Sequence, residues 1–158
     1  MRAVISVEDY LWFVDEALDA MVDIVVGLGD ELANQRLDGP GANSPYAVLT
    51  HCLGVLEYWG GQVVAGRIIE RDRDAEFRAY GDVRALVGRT RRAQLQFEHD
   101  LADLDPHLPP RGAPDPEDAR CPLGRTRGGA LLHVYDELSR HRGQLEVTRD
   151  VLRARRGS

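Results

Sequence analysis

Hydrophobic residues recur at spacings of three and four along most of the chain, which is the period of a helix with one buried face. The first series is Leu11, Val14, Leu18, Met21, Val25 and Leu28, spaced 3, 4, 3, 4 and 3. Ser6 stands before it as an N-cap, with Glu8 and Asp9 in the first turn. Gly27 and Gly29 loosen its end, and the DGPG at 38–41 stops it. A second series opens at Ser44-Pro45, a cap followed by a proline at the first helical position. It runs through Val48, Cys52, Val55 and Trp59 to about Glu70, with Gly60-Gly61 as a bend or thin spot. A charged connection follows, RDRDAEFRAYG. Asp82 caps a third helix whose stripe is Leu86, Thr90, Ala93, Phe97, Leu101 and Leu104.

The stretch from Asp105 to about Arg127 holds six of the eight prolines, which excludes a long helix there. A connection of this length is usually functional or mobile. The fourth helix starts near Gly128 and runs to about Arg155 along Leu131, Val134, Leu138, His141, Leu145, Thr148 and Leu152. No segment reads as a convincing strand. The expected fold is all-α, a four-helix bundle, in a single domain spanning 1–158.

Two of the stripes carry a polar residue where a hydrophobe belongs. His141 follows Leu138 by three and precedes Leu145 by four; His51 stands in the same relation to Val48 and Val55. Glu137 lies one turn before His141, so the two side chains can address a common object. Burying two imidazoles and a carboxylate costs several kcal/mol, of order 3–5 or more, unless they find partners. A divalent cation would satisfy all three. The spacing alone leaves another account open, in which the histidines are hydrogen-bonded core residues and Glu137 pairs with Arg140. His133, one turn further back, could orient a ligand, replace one, or lie on the helix surface.

Composition narrows the function. The chain has 158 residues, 43% of them apolar, and no apolar run long enough to span a membrane. The net charge is −6 with both signs interspersed, which argues against nucleic acid. All 20 basic residues are Arg, and those between Arg149 and Arg156 complement the last helix dipole. The N-terminus turns acidic too soon for a signal peptide, so a cytoplasmic location is expected. Cys52 and Cys121 are too few for a disulfide scaffold; Cys52 lies off the His51 face and reads as a small hydrophobe. Tyr10, Trp12, Phe13, Tyr58 and Trp59 belong to the core or to the face of a homodimer.

The segments SPYAVLTHCLGVLEYW and LLHVYDELSRHRGQLEVTRDVL resemble the DinB-like superfamily, most closely its branch with mycothiol S-transferases and the metal-binding domain of mycothiol-dependent maleylpyruvate isomerase. The likeness runs from the first helix to the fourth. Its specific parts are the His of the second helix and E/H-x-x-x-H-x-G-Q in the fourth, where Glu137 replaces the His of many relatives. The resemblance implies a bundle with one long crossover between non-adjacent helices. It also implies a metal at His51, Glu137 and His141, zinc by expectation, with nickel as an ion that purification could introduce. The activity it implies is attack of a metal-activated thiol, mycothiol or similar, on an electrophile. Arg67, Arg71, Arg73 and Arg78 are candidates to grip a carboxylate of the thiol or substrate, Arg71 and Arg73 foremost, and Gln144 could touch the ligand. A scaffold or sensor that only binds metal, and a metal-dependent hydrolase, are the competing readings.

Overall fold

The computed structural model describes residues 5–119 and 123–157; Cys121 lies outside the described residues. The elements, in order, are α1 (Val7–Ala33), α2 (Pro45–Val55), a π-helical continuation π1 (Leu56–Val64), a short α3 (Arg73–Phe77), α4 (Val83–Asp100) and α5 (Arg127–Arg156). There is no strand among the described residues.

Each long helix begins where the sequence supplies an oxygen for its orphan amides. Ser6, Ser44, Asp82 and Thr126 accept from the N–H groups of Asp9, Ala47, Ala85 and Gly129. Such a cap stabilises by about 1 kcal/mol. The four series of apolar residues then meet in one core, in which Val14, Leu18, Met21, Leu49, Leu53, Leu86, Phe97, Leu138 and Leu145 are buried. Gly29, at φ 70°, kinks α1 without ending it, and Leu32 and Ala33 beyond the kink are buried.

The bundle is not a simple up-and-down array. α1 packs along α4 and α5, and α2 with π1 packs along the same two, whereas the backbones of α4 and α5 make no close approach to each other. The connection between them, described at 101–119 and 123–126, therefore joins diagonal helices, the crossover that the resemblance implies. It is pinned at both ends. Arg111 and Gly112 donate to the Val63 carbonyl at 3.0 and 3.2 Å, and Arg127 and Gly128 donate to Leu108 and Pro106 at 3.0 and 2.9 Å. Gly112 is required there, since a Cβ would lie 2.1 Å from the Gln62 carbonyl oxygen.

Two features depart from the sequence expectation. The second helix does not continue to Glu70 in α form. From Leu56 it widens, with the Ala65 N–H bonded to the Gly60 carbonyl five residues back, and it ends at Val64. Within it, the Phe97 ring lies where a side chain at Gly60 would stand. The charged connection is also not featureless. Asp72 caps a helical turn that carries Glu76 and Phe77 onto α2.

Candidate metal centre

α2 and α5 run side by side, and α3 closes over α2 next to them. His51 projects from α2 and is 2% exposed. Its Nε2 lies 3.4 Å from Glu137 Oε2, and His141 Nε2 lies 3.5 Å from the same oxygen. The two imidazoles meet edge to face with centroids 4.9 Å apart. One ligand atom from each of the three residues falls within 4.8 Å of the other two.

The remaining polar atoms of this group are all engaged. His51 Nδ1 contacts Glu76 Oε2 at 2.8 Å, and His141 Nδ1 contacts Gln144 Oε1 at 2.8 Å. Glu137 gives its other oxygen to Arg140, which also binds Asp136 at 2.9 Å. The Arg140 partnership and the convergence on the histidines therefore coexist, one on each carboxylate oxygen.

The electrostatics follow from these contacts. Hydrogen bonds to His141 and His51, aided by Arg140 and opposed by burial, hold the Glu137 carboxyl far below the usual range. Burial is the largest influence on His51 and would lower its pKa, but hydrogen bonds to Glu137 and Glu76 outweigh it and the net direction is up. Burial likewise works to raise Glu76, and hydrogen bonds from His51 and Arg71 prevail to leave it lowered.

The two imidazole–carboxylate separations are also compatible with an ion. Separations of 3.4 and 3.5 Å are long for hydrogen bonds, which cluster at about 2.9 Å. A tetrahedral zinc ion with bonds of about 2.0–2.1 Å sets neighbouring ligand atoms roughly 3.3–3.4 Å apart. The donor set, two imidazoles and a carboxylate, is one that zinc accepts with a coordination position left open.

A cavity of about 490 Å³ opens onto His51 and Glu137. That volume is in the range for a small-molecule site. Tyr58, Trp59, Val55 and His133 form one wall, Arg71 and Arg73 another, and Asp115 to Asp118 of the crossover form the lip. The Asp115 N–H donates to the Tyr58 hydroxyl at 2.7 Å, which ties that lip to π1. His133 meets Trp59 edge to face, centroids 4.9 Å apart, and burial holds its pKa below the ordinary value.

A family model for mycothiol S-transferases matches residues 10–154. The chain belongs to that family. No curated protein matches the chain. The match spans every residue of the centre and all but the outer turns of α1 and α5.

The other residues singled out in the sequence fall in different places. Arg71 and Arg73 both face the cavity, though Arg71 is also forked onto Glu76 at 2.7 and 3.1 Å. Gln144 lies behind His141 and is not among the residues lining the cavity. Arg67 is forked onto Asp100 at 2.9 and 2.8 Å, and Arg78 is exposed away from the cavity. Cys52 is buried against Met21, and burial pushes its thiol far up, which suits a core residue. Tyr10 donates to the Leu131 carbonyl at 2.6 Å, while Trp12 and Phe13 are largely exposed. Sequence reasoning missed Glu76 and Phe77. Phe77 stacks on His51 with centroids 4.4 Å apart. The available signal was physical: a buried histidine with one nitrogen on Glu137 needs a partner for the other.

Proposed function

We propose that the protein is a metal-dependent transferase that joins a low-molecular-weight thiol, mycothiol or a close analogue, to an electrophilic carbon. The observation that carries this reading is the 3.4 and 3.5 Å convergence of two Nε2 atoms on one carboxylate oxygen, beside a cavity that His51 and Glu137 line. His51, Glu137 and His141 would hold the ion. Bound there, a divalent ion supplies the Lewis acidity that lets a thiol ionise near neutral pH.

The chain's own residues do the rest. Arg73, exposed at the cavity wall, and Arg71 offer guanidinium forks to an anionic group of the thiol or electrophile. Trp59 and Tyr58 give an apolar surface that shields the reacting carbon from water. His133, kept neutral by burial, is placed to take the thiol proton. The sulfur–carbon bond then forms as the leaving group departs with its electron pair. An addition to a strained or conjugated electrophile would instead return that proton to the product.

The test pairs metal content with transfer. Purified protein should carry about one ion per chain and form a thioether from a thiol and a monochlorobimane-type electrophile. Glu137→Ala should lose both. Metal binding without transfer to any electrophile would leave a scaffold or sensor.

A further inference from the structure

We infer that Glu76, clamped by Arg71 and admitted by Gly54, is a positioning residue that fixes the ring of His51 so that Nε2 faces Glu137 and His141. The inference rests on the metal reading above, and it concerns residues outside the three ligands.

Three observations support it. The His51 Nδ1 to Glu76 Oε2 contact is 2.8 Å, while the opposite ring nitrogen faces Glu137. A carboxylate held by Arg71 accepts, so Nδ1 carries a hydrogen toward Glu76, and Nε2 is the ring nitrogen that can give its lone pair to an ion in place of a proton. The Glu76 side chain is itself held, with Arg71 Nε on Oε1 at 2.7 Å and Nη2 on Oε2 at 3.1 Å.

The third observation is Gly54, one turn beyond His51 and buried within α2. A Cβ there would lie 1.9 Å from Glu76 Oε1 and 2.5 Å from its carboxyl carbon. Glycine in a helix interior costs about 1 kcal/mol relative to alanine. The missing side chain is the space in which the carboxylate sits. Phe77 stacks on the face of the same imidazole, so α3 fixes the ring plane while Glu76 fixes its hydrogen. A carboxylate hydrogen-bonded to the far nitrogen of a ligating histidine raises its basicity, and its loss usually weakens metal binding 10- to 100-fold.

The experiment uses the full chain, stripped of metal, and zinc alone as the probe, with affinity read by competition against a chromophoric chelator. Glu76→Ala should bind zinc roughly 10- to 100-fold more weakly than wild type. Glu76→Gln keeps an acceptor for Nδ1 but loses the charge, and should fall between the two. Gly54→Ala, which favours the helix and leaves Glu76 chemically intact, should weaken zinc binding in the same direction. Long-range ¹H–¹⁵N spectra of the imidazoles should show His51 protonated at Nδ1 in wild type. That signal should be lost in Glu76→Ala, a change that mere docking of α3 would not produce. Folded Glu76→Ala and Gly54→Ala proteins that bind zinc within twofold of wild type, with the His51 signal unmoved, would overturn the inference. Failure of wild type itself to bind zinc would instead refute the metal reading on which it stands.

Discussion

The close approach of Phe97 to π1, the element that carries the cavity-lining Tyr58 and Trp59, is tested by Gly60→Ala. On helix propensity alone this change should stabilise by about 1 kcal/mol. The structure predicts the opposite. A Cβ on Gly60 would lie 2.3 and 2.4 Å from two carbons of the Phe97 ring. Optimal carbon contacts are about 3.5–4.0 Å, so the overlap exceeds roughly 1 Å. Phe97 is 2% exposed and packs against Tyr10 with centroids 6.3 Å apart, so its ring has little room to retreat. Overpacking of this kind costs about 1–3 kcal/mol. With so little room for the ring the cost falls in the upper part of that range, about 2–3 kcal/mol, so after the propensity gain of about 1 kcal/mol a net loss of about 1–2 kcal/mol remains, or a Tm lower by roughly 2–8 °C for a chain of this size. Urea unfolding of metal-free protein measures it. Phe97→Leu should relieve the clash, so the double variant should be more stable than the sum of the two single losses, with a coupling of at least about 0.5 kcal/mol. A neutral or stabilising Gly60→Ala, or an additive cycle, would refute the argument.

Three further outcomes follow from the site. Arg73→Ala should raise the KM for the thiol about tenfold or more, the worth of one charge-assisted hydrogen bond, with zinc stoichiometry unchanged; loss of zinc would place Arg73 in a structural role. His133→Gln should lower kcat by about 10²-fold with zinc affinity intact, as expected of a proton acceptor; a matching loss of zinc would make His133 a ligand instead. In metal-free protein, His51 is raised above its ordinary 6.5, so its contribution to stability is full below 6.5 and fades as pH rises through the folded value. Glu76 and Glu137 are lowered below their ordinary 4.5, so their contributions are full above 4.5 and fade as pH falls through their folded values. Melting of chelator-treated protein should therefore show the greatest benefit from this cluster between about pH 4.5 and 6.5, reduced in Glu137→Ala, where the His51–Glu76 pair remains. The zinc-induced rise in Tm should grow with pH through neutrality, because the ion displaces the His51 proton.

The helices were legible in the sequence because capping and apolar periodicity agreed. Ser6, Ser44 and Asp82 all cap where the pattern predicts, and the six apolar residues assigned to α1 face inward. His51 and His141 stood out for the same reason, as polar intrusions on apolar stripes. Their convergence with Glu137 joins residues 86 positions apart, and periodicity places each on its own helix face without fixing how those faces meet. The end of the second helix was not legible, since the π-helical widening after Val55 keeps a helical period and so leaves no mark in the apolar pattern, and the chain packed against it, Phe97 of α4, is distant in sequence. α3 was missed because five residues are too few to show a period. Glu76 was missed with it, hidden among charges that suggested a solvated loop. Gln144 lies only three residues from His141, and the sequence gives no sign whether it meets the ligand or the histidine.

The most direct test is an anomalous difference map from a zinc-loaded crystal. The account predicts one strong peak per chain, about 2.0–2.1 Å from His51 Nε2, His141 Nε2 and an oxygen of Glu137. A peak at His133, Asp136 and Glu137, the other cluster with suitable spacing among the described residues, would contradict it, as would no peak at all.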